Sequence, residues 1–279
     1  MSAADLLVWG SGAVIGFATA LLWVAGLSGR ADPRLVRTNV SGMTVPAVLG
    51  MPLVAGSLNG LFVVAVIDRF SAGAPSSVRS NLALATVVAA CWVAGYVDDL
   101  RGEERTRGFL GHFRALASAR LTGGLVKIAL VGAAGVAAGL LLGDGRFVVE
   151  CALLIGLTAN LVNLLDRAPG RAGKLSLVGA LVLVLVAPPA WTVGTAGLMG
   201  ALVVCLPVDL KERAMLGDAG ANPLGAILGL GLTMALSEPG RLIALVVLLA
   251  LNLASERWSF SKVIESNRFL GRADRVGRK

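Results

Sequence analysis

The chain is a succession of apolar runs, each close to the length of a membrane crossing, and that pattern leaves few folds open. A spanning helix needs about 20 apolar residues to cross roughly 30 Å of hydrocarbon. Nine segments approach that length, over roughly 6–27, 44–67, 81–97, 121–142, 147–165, 175–187, 190–208, 223–236 and 241–256. The sequence is 56% hydrophobic and 15% charged, where soluble domains average about 45–50% and about 25%. Within lipid, backbone polar groups must be satisfied inside the segment, so helices are expected. The pattern predicts an all-α polytopic transmembrane bundle of about nine spans. One domain covers residues 1–256, and a basic tail covers 257–279. The sixth and eighth segments are short and are expected to be tilted or to neighbour re-entrant pieces.

The net charge of +8 would suggest nucleic acid in a soluble protein. Here the Lys and Arg residues lie in short loops between apolar runs, so nucleic acid is not an expected partner. The loops after the first, third, fifth and seventh segments, and the tail, hold most of them. They include Arg30, Arg34 and Arg37, then Arg101, Arg105, Arg107, Arg114 and Arg120, then Arg167, Arg171 and Lys174, then Lys211 and Arg213. The intervening loops hold Arg69, Arg79, Arg146 and Arg241. By the positive-inside rule the N-terminus is outside and the C-terminus cytoplasmic, in a cell membrane. The first run has Asp5 ahead of it and arginines after it, the reverse of a cleaved signal peptide, and is read as a retained span. Cys91, Cys151 and Cys205 sit inside apolar runs with neither zinc nor disulfide spacing. The tail, Arg257 to Lys279 with Trp258, Phe260 and Phe269, reads as a solvated basic tail or as an interfacial helix on anionic lipid.

Three polar clusters interrupt the apolar pattern, all on the predicted cytoplasmic side. Asp98 and Asp99 end the third segment, and their mutual repulsion would be relieved by a cation or a shared proton. Asn160, Asn163 and Asp166 recur every third residue and so share roughly one helix face. Such groups in a membrane helix mark a functional site or inter-helix hydrogen bonds. The loop that follows carries Arg167, Arg171 and Lys174, suited to phosphate oxygens or simply inside-positive charge. Asp218, in Gly217-Asp218-Ala219-Gly220, precedes the eighth segment as a helix cap or as a hard-metal ligand. Lys127 lies a few residues into an apolar run, placed to snorkel or to meet a phosphate. His112, the single histidine, is assigned no role.

In their order and common side, these clusters resemble the polyprenyl-phosphate N-acetylhexosamine-1-phosphate transferase superfamily. Arg37 to Gly56, with Asn39, Gly42 and Pro46, is similar to that family's first cytoplasmic loop and second span. The resemblance covers roughly residues 30–235. It implies a Mg²⁺-dependent transfer of sugar 1-phosphate from a nucleotide sugar, UDP-linked, to a membrane polyprenyl phosphate, for cell-envelope glycan synthesis. Asp218 and Asn163 would hold the metal, Asp98 or Asp99 would orient the lipid phosphate, and Asp166 would sit beside the nucleotide. Lys127, Asn160, Arg167, Arg171 and Lys174 would contact substrate. The chain departs from the family at Arg167, where glycine is usual, at Ala221, where serine is usual, and in having no histidine after His112. It also reads as nine spans where ten are common. A non-catalytic relative that binds lipid phosphate or nucleotide sugar, and a lipid or solute transporter, are the alternatives. A homodimer is compatible with the sequence.

Overall fold

The computed structural model describes residues 2–27, 32–70, 77–101 and 123–278. Arg30, Arg105, Arg107, His112, Arg114, Arg120 and Lys279 lie outside them. The helices are α1 (Ala3–Ala25), α2 (Gly50–Phe70), α3 (Val78–Arg101), α4 (Gly123–Leu142), α5 (Arg146–Leu165), α6 (Arg171–Val184), α7 (Pro189–Gly194), α8 (Ala196–Leu210), α9 (Gly217–Ala235), α10 (Glu238–Ser255), α11 (Phe260–Ser266) and α12 (Arg268–Arg275). Six of them are long and apolar enough to cross a membrane: α1 to α5 and α10. The architecture is that of an all-α membrane protein.

Each apolar segment is a helix, with three local differences. The second segment was expected from residue 44, but a short hairpin, β1 (Val36–Thr38) with β2 (Thr44–Pro46), precedes α2. Its turn is closed by Asn39, whose Oδ1 accepts the Ser41 and Met43 N–H groups, and by Gly42 at φ 77°, a left-handed position that suits glycine. The seventh segment is broken at Thr195 into α7 and α8. The Thr195 hydroxyl donates to the Trp191 and Thr192 carbonyls there and competes with the helical ladder. The eighth segment begins earlier than expected, so Asp218 lies in the first turn of α9 rather than ahead of it.

Small residues let the helices meet at backbone distance. Gly12, Gly16 and Ala20 form the buried stripe of α1. A Cβ on Gly16 would strike the Gly197 backbone of α8, and one on Gly56 of α2 would lie 2.6 Å from the Gly16 carbonyl. This is the small-xxx-small packing of membrane helices, which gain contact area by close approach. Helix α9 is buried along most of its length. Its Gly225 and Gly229 rest on the α5 backbone, where a Cβ would come within 2.6 Å of the Thr158 and Leu154 carbonyls respectively. Trp191, fully buried, donates its Nε1–H to the Ile227 carbonyl of α9 at 3.0 Å. Leu7, Phe62, Leu185 and Val246 point outward, an apolar surface suited to lipid.

The two ends of the bundle differ in chemistry. At one end the N-termini of α5 and α10 are joined through Glu150, which pairs with Arg146 at 2.9 Å and Arg241 at 2.6 Å, while Arg146 also reaches Glu238 at 2.7 Å. The other end, where α3 and α5 finish and α4 and α9 begin, holds the carboxylates and asparagines.

Candidate functional site

Asp218 is the centre of this second end. Its Oδ2 accepts from the Lys127 ammonium and from Asn163 Nδ2, the latter at 3.2 Å. Lys127 also reaches Asp98 Oδ2 at 3.5 Å. One cation therefore stands between two carboxylates from different helices, and it is only 15% exposed. The chain brings it there from the first turns of α4, so the polar end of an otherwise apolar helix meets the ends of α3 and α9.

The neighbouring carboxylate faces elsewhere. Asp99 accepts the backbone N–H groups of Asp218 at 3.1 Å and Ala219 at 2.9 Å. It serves as an N-cap for α9, donated by another helix, since the first N–H groups of any helix lack partners within it. The α9 entry is shaped for this contact. Gly217 has φ 65°, and a Cβ there would lie 2.8 Å from the Asp99 carboxylate. Gly95, one turn before Asp99, admits the Asp218 backbone. Arg37 of the hairpin donates to the Asp99 carbonyl. The hairpin is itself tied to the α9 approach, because Met215 N–H donates to the Pro46 carbonyl at 2.9 Å and Leu49 N–H to the Met215 carbonyl at 3.1 Å.

Asp98, Asp99, Lys127, Asn160, Asn163, Asp166, Arg167 and Asp218 all line one cavity of about 1000 Å³. Its walls change along its length. Around Asp98 and Asp218 it is charged. Between α4 and α5 it is lined by Ile128, Val131, Gly132, Leu153, Gly156 and Leu157, an apolar arm along which Ile128 and Leu153 are exposed. Asn160 at the border is held by its side chain, whose Nδ2 donates to Asn252 Oδ1 of α10 at 2.6 Å. Asp166 follows the end of α5, outside the spanning helix. It keeps some contact with solvent but is packed round by protein. Burial, and then the carboxylates of Asp209, Asp218 and Asp99, push its carboxyl well above the ordinary range.

Arg171 and Lys174, expected with the substrate residues, are engaged by the tail and do not line the cavity. Arg171 grips Asp274 of α12 with two nitrogens, Nε at 2.9 Å and Nη2 at 2.8 Å, and its Nη1 donates to Ser261 at 2.8 Å. Lys174 donates to the carbonyls of Ala273, Asp274 and Val276 at 3.1, 2.5 and 3.1 Å, at the end of α12. Arg278 completes the clamp on Asp274 at 2.6 Å and donates to the Pro169 carbonyl at 2.9 Å. The tail thus folds back as α11 and α12 and grips the loop that carries Arg167.

Asp209, Glu212 and Asn222 are among the cavity residues that the sequence left unassigned. Asp209 accepts the Gly170 N–H at 3.1 Å, and Glu212 accepts from Asn39. For Asn222 a signal was present, since it lies four residues after Asp218 and so on the same helix face. Among the described residues no three His, Cys, Asp or Glu side chains gather as a metal cluster. At the position of the Lys127 ammonium, the side-chain oxygens at hand are those of Asp98 and Asp218, with the Asn163 carboxamide beside them. That set is too small for an all-protein cage but suits Mg²⁺, which keeps waters and takes substrate phosphate oxygens. No family model matches the chain, and no curated protein matches it.

Proposed function

We propose that this protein is a membrane phosphoglycosyl transferase, a divergent member of the superfamily its motifs resemble. In this reading the chain crosses the cell membrane about nine times, N-terminus outside, with the carboxylate end cytoplasmic. The observation that carries the reading is the single cavity with two characters: paired carboxylates and a lysine at one end, an apolar arm between α4 and α5 at the other. That combination suits a reaction between a lipid chain with a phosphate head and a water-soluble diphosphate.

In the proposed reaction a polyprenyl-phosphate oxygen attacks the sugar-bearing phosphorus of a UDP-sugar. The new P–O bond forms as the bond from that phosphorus to the bridging oxygen breaks. UMP leaves with the electron pair, and polyprenyl-diphosphate sugar remains. Phosphoryl transfer of this kind depends on positioning and on electrostatic stabilisation of the phosphate oxygens. Mg²⁺, when bound, neutralises the diphosphate and the leaving group. Asp218 and Asn163 would hold it, the carboxamide turning its oxygen inward. Asp98 faces the same point and would orient the lipid phosphate. Lys127, which stands between the two carboxylates, would turn its ammonium to a phosphate oxygen. Arg167 and Asp166, at the rim, would meet the nucleotide.

One observation favours a non-catalytic phosphate binder instead: the Lys127 ammonium stands between Asp98 and Asp218 and offsets one of their two charges, which makes the position a cation-occupied one. A transfer assay separates the two. Purified protein is incubated with undecaprenyl phosphate, a panel of UDP-N-acetylhexosamines and Mg²⁺, and UMP release is followed. Release that is lost with EDTA and in Asp218→Ala supports the transferase. Folded protein that binds undecaprenyl phosphate yet releases no UMP from any donor supports the binder.

A further inference from the structure

Four asparagines line the cavity, and three have protein partners. Asn39 donates to Glu212, Asn160 to Asn252 and Asn163 to Asp218. The fourth, Asn222, is 0% exposed, and neither its Nδ2 nor its Oδ1 has a partner. A buried carboxamide with both ends unused is unfavourable, and native proteins rarely retain one without a purpose.

Its position indicates what would satisfy it. Asn222 lies one helical turn deeper than Asp218, on the same face of α9. The next turn, at Gly225, rests on Thr158 and Ala159 of α5. Asn222 therefore stands at the level where the cavity passes from carboxylates to the apolar arm of Ile128, Val131 and Leu157. An amphiphile with its chain in that arm has its head at this level. The head must accept from Nδ2 and donate to Oδ1. A phosphomonoester carrying one proton does both; of the charged groups near this level, Asp98 and Asp218 favour that form over the dianion and the single Lys127 ammonium opposes them.

We propose that Asn222 anchors the phosphate head of a lipid phosphate, with a rotamer change bringing its carboxamide to the cavity surface to pair with one P–O and one P–OH group. The identity of the lipid rests on the transferase reading, but the anchoring does not require transfer to occur.

The experiment is a thermal-unfolding titration of the full chain in mild detergent with dodecyl phosphate. Wild-type protein is expected to be stabilised, with an affinity that falls as pH rises through the second phosphate ionisation near about 6. Asn222→Leu keeps the branching and the number of heavy atoms and removes both hydrogen-bonding groups. It is expected to weaken dodecyl phosphate at least about ten-fold, the loss of one or two hydrogen bonds to a charged group, and to flatten the pH dependence. Asn222→Ala, smaller and without a hydrogen-bonding group, provides the same readout if the leucine variant fails to fold. No stabilisation of wild type, or a Leu variant that binds equally well and is merely more stable, overturns the proposal. Binding through Asn222 without UMP release would leave it standing and remove the transferase reading. UMP release with unaltered dodecyl phosphate affinity in the variant would do the reverse.

Discussion

Asp99 accepts the backbone N–H of Asp218 at 3.1 Å, so one acid of the site holds the helix that carries the other. Its neighbour Asp98 points to Lys127 instead. Asp99→Asn keeps one acceptor oxygen and loses the charge that favours a helix N-terminus. The variant is expected to lose roughly 0.5–2 kcal/mol of stability, the range for a lost cap, in thermal unfolding without ligand. Asp98→Asn leaves that cap in place, and Lys127 keeps its pairing with Asp218, so the loss is expected to be smaller, about 0–1 kcal/mol. Equal losses in the two variants would contradict the division of labour.

Lys127 sits where a divalent cation would meet Asp98 and Asp218. In Lys127→Met the carboxylates lose their counter-ion. The metal-free variant is expected to be destabilised by roughly 1–3 kcal/mol, between the values for surface and buried pairs. Added Mg²⁺ no longer competes with the ammonium, so its stabilising effect should be larger than in wild type, by the linkage between binding and unfolding. Differential scanning with and without Mg²⁺ reads both effects. A smaller Mg²⁺ response in the variant would exclude competition for one position.

The helices were legible because each apolar run was long and the lipid leaves the backbone no alternative. The carboxylates were legible as a set because they fall at one end of that pattern. What was not legible was the division of work among them. Asp98 and Asp99 are adjacent, and only the approach of α9 at Gly95 and Gly217 separates a cap from a cation partner. Arg171 and Lys174 looked like free phosphate ligands because their partner, Asp274, is about a hundred residues away. Nothing local signals a contact at that separation.

Asp166 carries a pH effect. Burial and nearby acids raise its affinity for a proton in the folded state. Stability from this group is fully present at low pH, where it is protonated folded or unfolded, and is lost as pH rises through the raised folded value. Asp166→Asn mimics the neutral form. It is expected to raise the melting temperature at pH 8 by roughly 2–4 °C, the effect of about 1 kcal/mol in a chain of this size. The gain should vanish near pH 4. A gain independent of pH would assign it to packing.

The tail clamp has the opposite sign. Burial pushes Asp274 up, but hydrogen bonds and charge from Arg171, then Arg278, outweigh it and hold the carboxyl below its ordinary value. Its contribution is present above the unfolded value and is lost as pH falls through the lowered folded one. Arg171 and Asp274 are 6% and 7% exposed, and removing one partner of a buried pair typically costs about 3–5 kcal/mol. Asp274→Asn is expected to release α11 and α12 at neutral pH. Limited trypsin digestion should then cut at Arg257 or Lys262 far faster than in wild type, while the helical bundle stays intact by circular dichroism. Acidification of wild-type protein should produce the same release, read by an acid-active protease. Unchanged cleavage in the variant would mean that Lys174 and Arg278 hold the tail without the carboxylate.

Gly16 of α1 faces the Gly197 backbone of α8, with no room for a methyl group. Gly10 of the same helix has open space around it. Gly16→Ala must push two backbones apart and is expected to cost about 1–3 kcal/mol, the range for overpacking. Gly10→Ala should be neutral or slightly stabilising, because alanine loses less backbone freedom on folding. The pair is compared by thermal unfolding in the same detergent. Equal melting temperatures would show that α1 and α8 do not meet at these glycines.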